Sequence, residues 1–142
     1  MKKILLATDG SESATDALRA AVELAEESGA SIDVLTVARA LGGVPGALPT
    51  MPVGIVDEAR KIAEEHAHAA RELGVEARAH VAQDEPAHAI CEAARELEAD
   101  LIVVGSRGLG PVRGALLGSV SRAVLSHAGR PVLVVKRAPL AI

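Results

Sequence analysis

The sequence contains no phenylalanine, tyrosine or tryptophan, and its single cysteine is Cys91. Without aromatic rings the core must be built from valine, leucine, isoleucine and alanine, and no side chain can stack on a nucleic-acid base. This counts against single-stranded nucleic-acid binding, which usually depends on aromatic platforms. A lone cysteine cannot form an internal disulfide, which agrees with a reducing compartment and makes Cys91 a weak candidate for a redox centre.

The chain also lacks an excess of positive charge and a long apolar run. It has 15 Lys and Arg against 19 Asp and Glu, a formal net charge of -4, so we expect no nucleic-acid partner. The first apolar run, 4–7, ends at Thr8 and Asp9, which is far too short for a signal peptide or a membrane span. We therefore expect a cytoplasmic protein with no membrane partner, and the 142 residues fit a single domain over 1–142.

Short apolar runs alternate with longer segments of helical period, which predicts an α/β fold with helices connecting the strands of a parallel sheet. The polar alternation within 75–82 indicates an edge strand, and the unbroken apolar run 101–104 indicates a central one. Segment 40–54 is rich in glycine and proline and is expected to be a mobile connector. The predicted strands cover 4–7, 32–37, 75–82, 101–104 and 132–135.

Four helices are expected between these strands. Ser11 or Ser13 can cap the first helix, and Ser13 with Asp16 fits a capping box; Gly29 marks its end. The second helix runs from residue 55 to a stop at 74 and is the longest, with His66 among its apolar positions. Asp84 or Glu85 is expected to cap the third helix, which buries Ile90, Cys91, Ala94 and Leu97, and the last helix covers about 119–127.

The residues that follow the predicted central strand carry the clearest functional signal. Gly105 and Gly108 precede Gly118 and Ser119, which stand at the start of the last helix. A helix N-terminus exposes unpaired N–H groups and a partial positive charge, so it binds phosphate without a lysine. Asp9 ends the first strand at the same sheet edge, where its carboxylate can accept hydrogen bonds from ribose hydroxyls or a base amine. Together these positions predict a ligand that bears phosphate, although each one alone is more often a turn or cap residue.

Other groups of residues give weaker evidence for a binding or catalytic site. Gly108, Gly110 and Gly114 faintly resemble a dinucleotide fingerprint, but no acidic residue follows about twenty residues later. His66 and His68 point to different faces of one helix and do not form a metal pair. Ser119 and Ser121 have no evident histidine base, and the P-loop pattern is absent, so no catalytic residue is assigned.

Over nearly its whole length the chain resembles the universal stress protein family. The family's nucleotide-binding members carry Gly, two residues, Gly, nine residues, then Gly-Ser or Gly-Thr, and Gly105, Gly108, Gly118 and Ser119 reproduce that spacing. The opening segment 7–11 and the closing segment 130–135 also resemble the family's first and last strands.

The resemblance implies an open, twisted, five-stranded parallel sheet of order 3-2-1-4-5 with helices on both faces, of the adenine nucleotide alpha hydrolase-like type. It implies that ATP binds with Mg²⁺ or Mn²⁺ bridging the phosphates. Asp9 would contact adenosine, the Val37 backbone would hold adenine, Gly105 and Gly108 would cover ribose and phosphates, and 118–120 would cradle the phosphates. The candidate site residues are Ala7, Asp9, Ser11, Val37, Val104, Gly105, Arg107, Gly108, Gly118, Ser119, Val120 and Ser121.

The resemblance further implies a homodimer that pairs through the last strand, Val132, Leu133, Val134 and Val135. A bare apolar edge there would be an aggregation hazard, which independently supports pairing. The leading hypothesis is a nucleotide-dependent regulatory module of the stress response with at most slow hydrolysis and an unidentified downstream partner. The alternatives are a nucleotide hydrolase or nucleotidyl-transfer enzyme of the same fold, and a dimeric scaffold without ligand. Arg107 and Arg113 flank the site, and either could meet a γ-phosphate or water.

Overall fold

The computed structural model describes residues 1–38, 53–106 and 117–136, and within them five strands alternate with four helices. The strands are β1 (Lys3–Ala7), β2 (Ser31–Val37), β3 (Ala77–Ala82), β4 (Leu101–Gly105) and β5 (Val132–Val135). The helices are α1 (Glu12–Ser28), α2 (Ile55–Glu72), α3 (Pro86–Glu96) and α4 (Ser119–His127). This order confirms the predicted alternation of strand and helix.

All five strands lie in one parallel sheet of order β3-β2-β1-β4-β5. The order confirms the expectation from the resemblance, and it puts β1 at the centre with β2 and β4 on either side. β3 lies at one edge, as its polar alternation predicted. Within the described residues the other edge is β5, which pairs only with β4.

Helices cover both faces of the sheet because side chains alternate along each strand. Ile4 and Leu6 point to the face covered by α1 and α2, whereas Leu5 points to the face covered by α3 and α4. All three side chains are fully buried. Coverage on both sides explains why β1 and β4 carry unbroken apolar runs at their centres.

Ser11 begins α1 as its N-cap. The Ser11 Oγ accepts a hydrogen bond from the backbone N–H of Ala14 at 3.2 Å. The alternative capping box of Ser13 with Asp16 is wrong, because Ser13 lies inside the first turn and is buried. Gly29 ends the helix in the left-handed region with φ 75, as predicted.

Glu85, one of the two predicted caps, begins α3. Its carboxylate accepts hydrogen bonds from the N–H groups of Ala87 and His88, and Pro86 is the first helical residue. Of the side chains expected to be buried on α3, Cys91 and Leu97 are only partly buried.

Two further predictions concern the edge strand and the connector. The edge strand begins at Ala77, two residues later than expected. The predicted connector 40–54 lies almost entirely outside the described residues. No helix in the described part of the chain is both long and apolar enough to cross a membrane.

Candidate functional site

The carboxyl ends of the parallel strands bring most of the candidate residues to one edge of the sheet. Ala7 ends β1, Val37 ends β2, and Val104 and Gly105 end β4. The start of α4 is fixed beside them, because the Gly118 N–H donates to the Ser106 carbonyl at 2.6 Å. The Ser106 N–H in turn donates to the Val135 carbonyl of β5 at 2.9 Å. The sheet edge and the α4 N-terminus therefore form one continuous surface.

Asp9 sits in a tight turn between β1 and α1. The Thr8 N–H still bonds to β2, through the Leu35 carbonyl at 2.9 Å. The chain then turns: the Gly10 N–H donates to the Thr8 Oγ1 at 3.2 Å, and the Ser11 N–H donates to the Asp9 Oδ1 at 2.9 Å. The half-buried Asp9 carboxylate is thereby held at the N-terminus of α1, where the helix dipole favours a negative charge.

Val37 offers its backbone to the same edge. Alternate residues of β2 direct their peptide groups to β1 and to β3, and the bonds of Leu35 to β1 and of Ala38 to β3 fix the phase. The N–H and C=O groups of Val37 therefore point to the β1 side. Because the pairing of β1 with β2 ends at Ala7 and Leu35, these groups lie beyond the paired part of β1.

Gly105 lies at the carboxyl end of β4, and its packing against α1 requires a glycine. A Cβ atom on this residue would lie 2.5 Å from the Ser13 Oγ and 2.8 Å from the Ser13 carbonyl oxygen. The first turn of α1 thus approaches the end of β4 so closely that only glycine fits. The predicted role of Gly105 in covering the ligand is additional to this structural one.

Gly118 is the N-cap of α4, with φ -71 and ψ 165, and it has no side chain with which to cap the helix. The first N–H groups of a helix have no partner within it, so Ser119 and Val120 present backbone donors at this end. Ser121 is buried, and its Oγ donates to the Gly105 carbonyl at 2.7 Å. Its hydroxyl therefore ties α4 to β4.

Two buried polar groups, one on α2 and one on β2, were not among the predicted site residues. The Nδ1 of His66 on α2 and the Oγ1 of Thr36 on β2 are buried without a hydrogen-bond partner among the described residues. Burial lowers the pKa of His66, and the Glu65 and Asp9 carboxylates act in the opposite direction. The signal was present, because His66 occupies an apolar position of the predicted helix where an aliphatic residue is expected.

Arg107, Gly108 and Arg113 fall outside the described residues. No group of three or more His, Cys, Asp and Glu side chains that could hold a metal occurs within 1–38, 53–106 and 117–136. Burial, followed by the Glu85 and Glu92 carboxylates, raises the pKa of the Cys91 thiol, so this residue stays a weakly reactive thiol at neutral pH.

The chain is similar to proteins of one family. The profile of the universal stress protein family matches residues 1–136. A universal stress protein of Bacillus subtilis is 39% identical over 145 aligned residues, covering 94% of this chain and 98% of that protein.

Two solved structures extend the comparison to proteins with a bound nucleotide. The universal stress protein of Archaeoglobus fulgidus in complex with dAMP is 28% identical, with a TM-score of 0.73 and coverage of 94% and 97% of the two chains. A universal stress protein family member of Arabidopsis thaliana with AMP bound is 25% identical, with a TM-score of 0.70 and coverage of 97% and 93%. Profile, sequence and fold agree: the chain belongs to the universal stress protein family.

Proposed function

We propose that this chain binds an adenine nucleotide at the carboxyl edge of the sheet and acts as a nucleotide-dependent regulatory module of the stress response. ATP with Mg²⁺ or Mn²⁺ is the proposed ligand, with at most slow hydrolysis. The observation that carries the proposal is the N-terminus of α4, whose cap residue Gly118 has no side chain and which is fixed at the same edge as Asp9. The cytoplasmic location and the absence of a nucleic-acid partner stay predictions.

The phosphates would lie against the first turn of α4. Backbone N–H groups at Gly118, Ser119 and Val120 would donate to phosphate oxygens, and the positive end of the helix dipole would stabilise their charge. The exposed side chain of Ser119 adds a hydroxyl donor at the same end. The metal would be held mainly by the phosphates.

The adenosine half would lie between the ends of β1 and β2. The Asp9 carboxylate would accept hydrogen bonds from a ribose hydroxyl or the base amine, and the Val37 peptide groups would pair with the base edge. Ala7 and Val104, half-buried and buried, offer apolar contact to the ring. The relatives with bound AMP and dAMP support an adenine nucleotide as the ligand class.

The first experiment takes advantage of the absence of aromatic residues, because the ultraviolet absorbance then comes from bound nucleotide and hardly from the protein. Extensively washed protein is denatured, and the released material is identified by its ultraviolet spectrum, chromatography and mass. We expect stoichiometric adenine nucleotide, either retained from the cell or after incubation with ATP and Mg²⁺. A spectrum that stays blank in both cases would favour the scaffold without ligand.

Two variants test the two halves of the site. Asp9→Ala and Gly118→Asp are each expected to weaken ATP binding by roughly 10- to 100-fold. Asp9→Ala removes the carboxylate that would accept hydrogen bonds from the adenosine half, and Gly118→Asp opposes the hydrogen bonds of α4 to the charged phosphates. Gly129→Asp places the same charge beyond the other end of α4 and is the matched control, with little effect on affinity. Steady-state turnover well above that of Gly118→Asp would instead favour a hydrolase.

A homodimer is part of the same proposal. The outer edge of β5 has no pairing strand among the described residues, and Leu133 on this strand is 36% exposed. A second copy that adds its own β5 would satisfy the outward peptide groups and cover these apolar side chains.

A further inference from the structure

Arg122 lies at the end of the first turn of α4. Its backbone N–H donates to the Gly118 carbonyl at 3.1 Å, which places it one helical turn after the N-cap. Ser121 and Val124 are the buried residues of this helix, whereas Ser119 and Arg122 are exposed. Residues three apart are neighbours on a helix surface, so Ser119 and Arg122 share the solvent-facing side of this turn.

The geometry of the helix directs the Arg122 side chain toward the N-terminus of α4. Every Cα–Cβ bond of an α-helix tilts toward the N-terminus, so a side chain covers the turn that precedes its own Cα. At a rise of about 1.5 Å per residue, the Arg122 Cα lies about 4.5 Å beyond that of Ser119 along the helix axis. The arginine side chain is longer than this distance. Its guanidinium can therefore reach the region in front of the first N–H groups of α4.

The positive charge of Arg122 has no counter-charge on its own helix. Arg60, Arg71 and Arg95 each pair with a carboxylate of the helix that carries them, but α4 contains no Asp or Glu. Among the residues that the structure describes, no ion pair joins Arg122 to another side chain. A cation near a helix N-terminus opposes the helix dipole. Without a ligand, a neutral or acidic residue at this position would stabilise α4 more than Arg122 does.

The strand order determines which part of a nucleotide would meet this helix. The proposed adenosine half lies between the ends of β1 and β2, and β4 lies on the other side of β1. α4 follows β4 and contacts α3 and β5, so its N-terminus is on the side of β1 away from the adenosine half. A single phosphate on the ribose stays nearer to β1, whereas a triphosphate extends further toward α4. The terminal phosphates therefore come within reach of Arg122.

We propose that Arg122 is a specificity-determining residue of the nucleotide site, whose guanidinium binds the terminal phosphates of the ligand and so selects ATP over AMP. The inference rests on the proposed function and deepens it by naming the number of phosphates that the site prefers. A guanidinium presents its N–H donors in a planar fork that matches two phosphate oxygens. AMP has no phosphate at this position, so its affinity gains nothing from Arg122.

The test measures the affinities of ATP, AMP and inorganic triphosphate by calorimetry with Mg²⁺ present. Arg122→Gln removes the charge, Arg122→Lys keeps the charge without the planar fork, and Arg78→Gln removes the same charge from an exposed position of β3. We expect Arg122→Gln to weaken ATP and triphosphate binding by roughly tenfold, as for a lost hydrogen bond to a charged group, and to leave AMP binding unchanged. Arg122→Lys should recover part of the loss, and Arg78→Gln should bind all three ligands like the unmodified chain.

Thermal unfolding separates ligand binding from a role in the fold. Ligand-free Arg122→Gln is expected to be at least as stable as the unmodified chain, because a cation is removed from a helix N-terminus. At equal ATP concentration, its melting temperature should rise less than that of the unmodified chain. A ligand-free variant of lower stability that also loses affinity for ATP and AMP alike would show that Arg122 acts through the fold, and would overturn the inference.

Two further results would contradict the inference while nucleotide binding stands. Equal ATP affinities of Arg122→Gln and Arg78→Gln would mean that Arg122 does not contact the ligand. Equal losses of ATP and AMP affinity in Arg122→Gln would mean that Arg122 does not distinguish the number of phosphates. An unmodified chain that binds neither ATP nor AMP would instead overturn the proposed function itself.

A measurement on the unmodified chain needs no stable Arg122→Gln protein. With ¹⁵N-labelled arginine, ATP is expected to shift the Nε resonance of Arg122, and AMP is expected to leave it in place. The Nε resonance of Arg78 should not respond to either nucleotide. Identical Arg122 resonances with and without bound ATP would refute the contact.

Discussion

At the scale of single residues, Gly105 packs closely against α1 and is also one of the candidate site residues. Gly105→Ala is expected to destabilise the fold by about 1–3 kcal/mol, because the new Cβ would overlap Ser13, including its backbone carbonyl. Thermal or urea unfolding measures the change. Gly129→Ala is the matched control, since a Cβ there meets nothing within 4 Å. Equal stabilities of the two variants would show that α1 can move away from β4 at little cost.

Asp84 and His88, one turn apart at the start of α3, give a prediction for pH dependence. The His88 Nδ1 lies 2.6 Å from the Asp84 Oδ2, and this hydrogen bond, followed by the carboxylate charge, raises the pKa of His88. The same bond lowers the pKa of Asp84. A raised histidine pKa stabilises the fold fully below the ordinary value of 6.5, and this contribution is lost as the pH rises through the folded-state value.

The expected result is that Asp84→Asn returns the pKa of His88 toward its ordinary value. An NMR titration of the His88 ring resonances measures it. Asp57→Asn, which removes an exposed carboxylate on α2, is the control and should leave the His88 midpoint unchanged. The same midpoint in all three proteins would mean that solvent separates Asp84 from His88.

At the scale of elements, α4 is held to the sheet by Ser121. Ser121→Ala leaves the Gly105 carbonyl without its 2.7 Å partner and is expected to destabilise the fold by about 1–2 kcal/mol. Ser126→Ala, at an exposed position of the same helix, controls for the better helix propensity of alanine. Chemical denaturation compares the two variants. A Ser121→Ala protein as stable as the control would indicate that water replaces the hydroxyl.

The elements were predictable because their signals are local. The apolar runs of β2 and β4 and the four-residue spacing along α2 are properties of the chain itself, so strands and helices appear nearly where the sequence placed them. The strand order came from the resemblance, since alternation alone leaves several orders open. The choice between Ser11 and Ser13 as the cap of α1 was decided by the turn that follows β1: the Ser11 N–H bonds to Asp9, and the Ser11 hydroxyl accepts from the Ala14 N–H.

The candidate site was predictable in part for the same reason. Asp9 follows from the rule that the carboxyl ends of parallel strands share one edge, and Gly118 follows from the unpaired donors at a helix N-terminus. Val37 was implied only by the resemblance to the family. The double role of Gly105, the anchoring hydroxyl of Ser121 and the placement of His66 depend on contacts between segments distant in sequence. No periodic pattern encodes such contacts, so the structure was needed to find them.

At the scale of the whole molecule, the outer edge of β5 is the surface through which we propose that two copies of the chain pair. Peptide groups of Pro131 and Val135 bond to β4, so by alternation those of Val132 and Val134 point outward. A second copy that pairs with this edge would bury Leu133, which is 36% exposed. An apolar strand edge is otherwise a site of aggregation, so the edge and its side chains both favour pairing with an identical strand.

Leu133→Lys is therefore expected to convert the protein from dimer to monomer, because two like charges would meet across the paired strands. Size-exclusion chromatography with light scattering measures the mass. Leu73→Lys is the matched control: it adds the same charge to an exposed leucine at the end of α2, on the side of the sheet away from β5. If the unmodified chain is already monomeric at micromolar concentration, β5 is not the interface between copies. If Leu73→Lys also dissociates the dimer, added charge rather than the β5 edge explains the change.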